Sequence, residues 1–294
     1  MKIAIQGERG SFSHAAADKL YVEPQLVCCE TFAETFAALR SGRAQAAVLP
    51  FENALFGSIH QNYDLLMRSK APVVGEIFRR IELCLLAARP GPIARGARVL
   101  VHPVAQGQCG TFLRRHRLVP VLASDTAGAV RTLMESSRSE SSRIESTRIE
   151  STANESKSEA TYAIASALAG ELYGASAVAR GIEDDARNFT RFLAIGSTKG
   201  LRRVKNPSFK TSLAFVLPNQ AGALFKALGC FSLRNIDLAK LESRPMKGRP
   251  FEYIFYLDAL ARQETKAMTY ALRHLGEFAE KVSILGCYAR AEVP

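Results

Sequence analysis

The sequence predicts an α/β protein with a smaller α+β unit at its C-terminal end, and three observations carry that expectation. Up to about residue 200, short apolar runs alternate with patterns of helical period, as in parallel strands joined by crossover helices. After Pro207 the order changes to βαββαβ, which is ferredoxin-like. Within the first regime, residues 135–159 follow neither period. At 294 residues the chain is long for one core and has room for about two or three compact units.

Residues 3–6 read as a first strand, 13–20 as a helix and 26–29 as a second strand. Thr31 and Glu34 form a capping box ahead of Phe32, Phe36 and Leu39, which places a helix up to about Arg40. Residues 46–49 follow as a third strand that Pro50 is expected to end. A second α/β set starts near Ile81, with strands at 82–87, 98–101 and 119–123, a helix after Pro103 and another opened by Asp125 and Thr126. The chain then returns through 177–179 and a strand-like segment around Thr190.

In the polar stretch 135–159, glutamates recur at 135, 140, 145, 150 and 155, which suits neither helix nor strand. Such a composition cannot bury enough apolar surface to offset its ordering entropy, so a mobile insertion is expected there. Beyond Pro207, strands are expected at 211–217, 236–243, 251–257 and 282–289, and helices at 222–233 and 265–275. Leu224, Leu228 and Phe231 share one face of the first helix, and Met268, Leu272 and Leu275 one face of the second.

Composition narrows the function classes. No apolar run reaches the ~18 residues of a membrane helix, and Met1 leads into a strand without a signal-peptide apolar region, so a cytoplasmic protein is expected. The six cysteines include no Cys-x-x-Cys pair and no histidine stands at metal-ligand spacing, which supports neither zinc nor redox chemistry. The net charge of +11 comes from scattered basic residues, with no Trp and no basic-aromatic stripe, so it suits attraction of small anions better than nucleic acid.

Several segments carry chemistry. Gly7-Glu8-Arg9-Gly10 lies between strand and helix with Glu30 about 20 residues beyond, but a dinucleotide fingerprint would need a glycine at Ile5, inside the strand. Gly10-Ser11-Phe12-Ser13-His14 instead offers backbone N–H groups and two hydroxyls at a helix N-terminus, a setting for a carboxylate; Ser11 or Ser13 would also serve as a plain N-cap. Glu52 and Asn53 follow a buried-looking strand at its C-terminal end, where α/β proteins bind ligands, although Asn53 reads equally as a helix cap. Gln108 can offer donor and acceptor together, while Cys109 near His102 lacks a third orienting group and reads as a buried thiol. Thr126 either caps the helix it opens, receives an anion, or both.

Taken together, Pro50-Phe51-Glu52-Asn53, Thr190-Arg191-Phe192 and Glu242-Ser243-Arg244-Pro245 resemble the prephenate dehydratase family, including its arogenate-using members, and the resemblance covers nearly the whole chain. The opening Gly7 to Ser13 is similar to the family's Gly-x-x-Gly-Ser-Phe-Ser, and His102 to Cys109 to its His-Pro-Gln-x-x-x-Gln-Cys with Val104 replacing the first Gln. Ala54 stands where the family usually has Ser, and Ile59 to Leu66 looks closest to the plant-type members. The resemblance implies a two-lobed, periplasmic-binding-protein-like catalytic domain over 1–200 and an ACT regulatory domain over 208–294. Since the chain opens on the dehydratase motif, no fused mutase segment is expected ahead of it.

Prephenate loses carbon dioxide and water together, and the aromaticity of the product drives the reaction without metal or organic cofactor. What a protein must add is a hydrogen bond or proton for the departing hydroxyl, anchors for carboxylates and a dry cleft. The resemblance implies Thr190 as donor, with Glu52 and Asn53 as catalytic partners. Ser11, Ser13, Gln108 and Thr126 become substrate contacts. Arg191 either clamps a carboxylate or holds the local fold through Asp184 or Asp185, and Phe192 packs beneath the ring or simply in the core. In the C-terminal domain it implies phenylalanine as effector at Asn219, Ala221, Gly222, Ala223, Leu224, Glu242, Ser243, Arg244 and Pro245, with Gly222 as a plain turn residue and Arg244 as a solvated strand end for the alternative. A homodimer or homotetramer is expected. Two other readings share parts of this pattern. One is a two-lobed protein that captures a small acid without catalysis, the other a nicotinamide-dependent prephenate dehydrogenase, which the missing glycine at Ile5 disfavours.

Overall fold

The computed structural model describes residues 1–147, 161–246, 248–249 and 251–292. The first lobe contains β1 (Lys2–Gln6), α1 (Phe12–Leu20), β2 (Gln25–Cys29), α2 (Phe32–Arg40), β3 (Ala46–Asn53), β4 (Gly57–Ser58), α3 (His60–Ser69) and β5 (Val73–Arg80). The second contains β6 (Cys84–Ala87), β7 (Arg98–Val101), α4 (Pro103–Gln108), α5 (Gly110–His116), β8 (Val119–Leu122), α6 (Thr126–Thr147), β9 (Thr161–Ala165), α7 (Ala167–Tyr173) and β10 (Ser176–Arg180). Then β11 (Phe189–Gly196) returns to the first sheet, whose order is β2-β1-β3-β11-β5 with β4 attached to β3. The second sheet runs β10-β6-β9-β7-β8. Parallel pairs at β1–β2, β1–β3, β7–β8 and β7–β9 are joined by antiparallel ones, so both sheets are mixed where the sequence suggests parallel strands only.

Strand β3 does not end at Pro50. It runs on to Asn53, and the proline sits where the pairing with β11 slips: Phe192 faces Pro50, Arg191 faces Glu52, and Phe51 is the extra residue. A bulge is where an interior strand can carry a residue without an N–H. Six elements lie outside the sequence expectation, namely β4, α3, β5, α5, β9 and α7. The last is a short helix held at its ends, with Ser166 Oγ accepting from Ala169 N at 3.1 Å and Gly174 in the left-handed region. Helix α6 is also a correction. It continues to Thr147, so the first part of the expected insertion is helical; the ladder of backbone bonds carries the polar sequence on, with Arg131 and Glu135 paired one turn apart. The rest of that stretch, 148–159, lies outside the described residues.

Side-chain alternation divides the first sheet. Ile3, Ile5, Val48, Phe192 and Ala194 face α1 and the second lobe, while Ala4, Ala47, Leu49, Leu193 and Ile195 face the other way. The lobes meet tightly: a Cβ on Gly10, whose φ is +92°, would lie 2.7 Å from the Ala169 Cα, and Ser166 Oγ donates to the Gly10 carbonyl at 2.6 Å. The two crossing segments are tied as well, with Ile81 N donating to Asn188 O at 2.7 Å and Leu83 N to the Glu183 carboxylate at 2.9 Å.

The C-terminal domain comprises β12 (Phe209–Val216), α8 (Ala223–Ser232), β13 (Leu238–Pro245), β14 (Tyr253–Ala259), α9 (Lys266–Gly276) and β15 (Lys281–Ala289). Its antiparallel sheet has the ferredoxin-like order β13-β14-β12-β15. One face carries Leu213, Phe215 and Leu257 against α8 and α9. The other face turns Ala214, Tyr256 and Tyr288 onto the first lobe, into one cluster with Phe51, Tyr63 and Leu193. Contact is closest at Gly286 of β15, where a Cβ would stand 2.1 Å from the Val73 carbonyl oxygen. Gly286→Ala should therefore lower stability by about 1–3 kcal/mol through overpacking, read as a reduced midpoint in urea unfolding.

Candidate active site

A cavity of about 260 Å³ opens between the two lobes. Its walls come from the first turns of α1 and α6, α4 with His102 before it, the β3–β4 hairpin and the start of β11. Thr190 lies on the wall opposite Asn53 in the strand register, and both are buried. Asn53 Nδ2 donates to Thr190 Oγ1 at 2.9 Å and to Asn188 Oδ1 at 2.8 Å, while its Oδ1 accepts from the N–H groups of Leu55 and Phe56, each at 3.0 Å. The Asn53 amide is thus fixed in orientation by the hairpin it caps, and it fills one acceptor position of the Thr190 hydroxyl. The proton of that hydroxyl is left for a group in the cavity. Asn188 is fully buried, and its Nδ2 meets no partner among the described residues.

Ser11, Ser13, Gln108, Thr126 and Phe192 line the same cavity. Ser11 caps α1 by accepting from His14 N at 3.3 Å. Asp125, not Thr126, caps α6, since Asp125 Oδ1 accepts from Gly128 N at 2.8 Å; the Thr126 hydroxyl is not spent on the cap. A Cβ at Gly128 would fall 2.5 Å from Asp125 Oδ2, so glycine is what lets that carboxylate fold back over the helix. The N-terminal turns of α1 and α6 both border the cavity, and their unpaired N–H groups favour an anion there. Phe12, Phe56, Ile59, Ile81 and Leu83 supply apolar wall. Val104, the departure from the family pattern, also lines it, whereas Ala54 is exposed outside it.

Two residues with expected roles in the site fall elsewhere. Glu52 and Arg191 are register partners, one residue from Asn53 and Thr190, and strand alternation turns both to the opposite face of the sheet. Arg191 is 4% exposed: its Nε donates to Glu76 Oε2 at 2.8 Å, its Nη2 to Tyr288 Oη at 2.9 Å, and its Nη1 lies 2.6 Å from Asp258 Oδ2. Burial opposes its charge, but Tyr288, Asp258 and Glu76 outweigh that and hold its pKa well above the usual range. Arg191 therefore clamps no ligand in the cavity and reaches neither Asp184 nor Asp185. Asp184 accepts from Thr111 N at 3.1 Å and Asp185 pairs with Arg187 at 3.0 Å. Glu52, 37% exposed on its side chain, stands 3.3 Å from Lys240 Nζ and 3.6 Å from Arg191 Nη1. A shuttle role for Glu52 toward the cavity is thereby removed. No lysine or arginine lines the cavity among the described residues.

Cys109 is fully buried, and burial pushes its thiol up to about 12, which leaves it protonated and unreactive. His102, given no role by the sequence although it stands in the motif, lines the cavity and accepts from Val104 N through Nδ1 at 3.3 Å. Phe56 and Asp125 line it too; in the sequence Asp125 reads only as part of a helix start, since nothing local tells a wall residue from a cap.

The residues expected to hold an effector divide into two groups. Gly222, with φ +77°, precedes α8, and Ala223 and Leu224 form its first turn; Asn219 and Ala221 belong to the exposed loop before it. On edge strand β13, Ser243 and Pro245 are exposed, whereas Glu242 and Arg244 point at the first lobe. The Glu242 carboxylate accepts a short hydrogen bond from Ser58 and pairs with Lys240 at 2.8 Å and His60 at 3.0 Å. Arg244 Nη1 donates to His60 O and Asp64 Oδ1, each at 2.7 Å, so it is not a solvated strand end.

Fold and cavity together define a two-lobed α/β protein with a cavity between its lobes and a ferredoxin-like module docked on the first lobe. The model of the family described as prephenate dehydratase matches residues 3–200. Arogenate dehydratase/prephenate dehydratase 2 of Arabidopsis thaliana is 39% identical over 98% of this chain and 72% of its own. The bifunctional N-acyl-homoserine lactone acylase/prephenate dehydratase of Komagataeibacter europaeus is 34% identical over 97% of this chain and 95% of its own. Among solved structures, the quorum-quenching acylase GqqA superposes with TM-score 0.81 at 34% identity, covering 98% of both chains. Prephenate dehydratase from Arthrobacter aurescens in complex with L-Phe superposes with TM-score 0.79 at 24% identity, over 99% of this chain and 90% of that one, a likeness of fold. The chain belongs to the prephenate dehydratase family.

His102 and His14 both accept backbone hydrogen bonds through Nδ1, and burial lowers both below the ordinary imidazole value of 6.5. The unfolded chain then binds more protons than the folded one, so this contribution to stability is fully present above pH 6.5 and is lost as pH falls through the lowered values. A melting-temperature series from pH 7 down to about 5 should show the decline, and His102→Asn, which cannot titrate, should flatten part of it.

Proposed function

We propose that the chain catalyses the decarboxylating dehydration of prephenate or arogenate, giving phenylpyruvate or phenylalanine with carbon dioxide and water. The observation that carries this reading is the Asn53–Thr190 hydrogen bond on the cavity wall. A hydroxyl whose acceptor side is filled by a fixed amide keeps its proton for an incoming oxygen, which is what the departing ring hydroxyl requires. The electron pair of the breaking C–CO₂ bond enters the ring and expels that oxygen, which leaves as water after taking up one proton. Thr190 steadies the developing negative charge as a hydrogen-bond donor, while Phe192 and the apolar wall keep the ring carboxylate poorly solvated. The N–H groups and hydroxyls at the α1 and α6 N-termini suit the side-chain carboxylate.

Between the substrates, arogenate fits the wall better. Asp125 puts a carboxylate there, His102 is neutral at pH 7, and no lysine or arginine lines the cavity among the described residues. An ammonium gains from that arrangement and a keto group does not. The same reading takes 208–294 as an ACT domain that binds phenylalanine and inhibits the enzyme, in a cytoplasmic homodimer or homotetramer. Edge strand β13 with Ser243 and Pro245 open, and the α8 side chain Phe225 with Leu233 at its C-terminal end, at 81% and 80% exposure, provide a surface for a second copy. Glu242 joins that strand to Ser58 on the cavity wall, a contact that supports coupling between effector and substrate in this reading.

Thr190→Ala should reduce turnover by at least ~100-fold, as loss of one oxyanion-type donor does; near-wild-type turnover in a purified, folded variant rejects the assignment. A paired assay on both substrates should give arogenate the higher kcat/KM, and added phenylalanine should lower turnover. Capture of either acid without product would favour the binding-protein alternative instead.

A further inference from the structure

The catalytic pair proposed above is held from behind by the C-terminal domain. Thr190 and Arg191 are consecutive on β11, and their register partners Asn53 and Glu52 are consecutive on β3. Consecutive Cα atoms are about 3.8 Å apart across a trans peptide, so a displaced Arg191 backbone takes Thr190 with it. Three elements clamp the guanidinium: Glu76 on β5, Asp258 on β14 and Tyr288 on β15. Two of these belong to the C-terminal domain, and they brace each other, since Ser212 Oγ makes a short hydrogen bond to Asp258 and lies 2.6 Å from Tyr288 Oη.

We propose that Asp258 and Tyr288 are positioning residues for the dehydration, setting the geometry of Thr190 and Asn53 through Arg191. This rests on the dehydratase reading. The charge balance explains why the clamp is stiff. Arg191 and Lys210 are buried against Glu76 and Asp258, two cations against two anions, with Lys210 Nζ 2.9 Å from Glu76. A buried charge deprived of its partner is strongly disfavoured and seeks another. For Arg191 the next carboxylate is Glu52 at 3.6 Å, which precedes Asn53. Loss of Asp258 therefore pulls on both strands that carry the pair. Asp258 also stands opposite Lys240 of β13, and Tyr256 opposite Glu242, so the clamp lies one strand in from the edge proposed for the effector.

The test uses Asp258→Asn, Tyr288→Phe and the double variant Asp258→Asn/Lys210→Met in the full chain, with kcat, KM and melting temperature measured beside wild type and Thr190→Ala. The double variant restores the one-to-one charge balance of Arg191 and Glu76 without restoring the Asp258 anchor. Tyr288→Phe removes one acceptor and no charge, so it decides should the aspartate variants fail to fold. A positioning role predicts kcat reduced on the order of tenfold, with KM little changed, even where the melting temperature is recovered, because sub-ångström misplacement of a catalytic group is costly. A merely structural role predicts that kcat returns with stability. Wild-type kcat in the folded double variant, or in Tyr288→Phe where the double variant does not fold, overturns the inference and leaves the dehydratase reading standing. Wild-type protein inactive on both substrates overturns that reading and the inference together.

Discussion

The antiparallel pairing of β11 with β3 is the constraint on which the rest of the structure depends. Two adjacent register pairs, Thr190 with Asn53 and Arg191 with Glu52, present opposite faces of one sheet to two different surroundings. Thr190 and Asn53 face the cavity between the lobes; Arg191 and Glu52 face the interface with the C-terminal domain. The bulge at Phe51, permitted by a proline with no N–H to pair, sets that register at the point where it matters. Because β11 arrives only after the second lobe has been threaded, it closes the first sheet and ties the lobes to each other at the same time.

Electrostatics differ sharply on the two faces. On the cavity side the wall offers hydroxyls, amides, helix N-termini and the Asp125 carboxylate, with no lysine or arginine among the described residues. Dipoles of this kind attract an anion more weakly than an ion pair does and leave a carboxylate less stabilised than a guanidinium would. The basic residues Arg191, Lys210 and Lys240 stand instead at the domain interface. Lys210 shows the strain of that placement: burial and the neighbouring Arg191 lower its pKa, while Glu76 and Asp258 oppose the shift. A network of this kind adds specificity of docking more readily than net stability.

Some of this was legible from the chain. The Thr31 N-cap, the α8 and α9 apolar faces and the βαββαβ order follow from local spacing and appear in the fold, although the Glu34 carboxylate of the expected capping box accepts from Glu30 N rather than Thr31 N. The gathering of Thr190, Asn53, Gln108, Ser11, Ser13, Thr126 and Phe192 at one cavity appears as well; all but Thr126, whose signal is a helix start, lie in segments whose pattern resembles a family motif. The stretch from Glu135 to Thr147, by contrast, misled: composition argued against order, yet the backbone ladder of α6 continues through it. There a helix already nucleated and packed at its N-terminal half outweighs weak propensity.

Sequence alone determined the elements with a clear period, the change of pattern after Pro207 and the family, because these depend on spacing and residue type. The tertiary structure decided the orientation of Glu52 and Arg191, the capping of α6 by Asp125 and the grip of Glu242 and Arg244 on the first lobe. Each of these is set by what lies across a strand, a bulge or a domain boundary. A residue's neighbours along the chain carry no record of which face a one-residue register shift will turn it to.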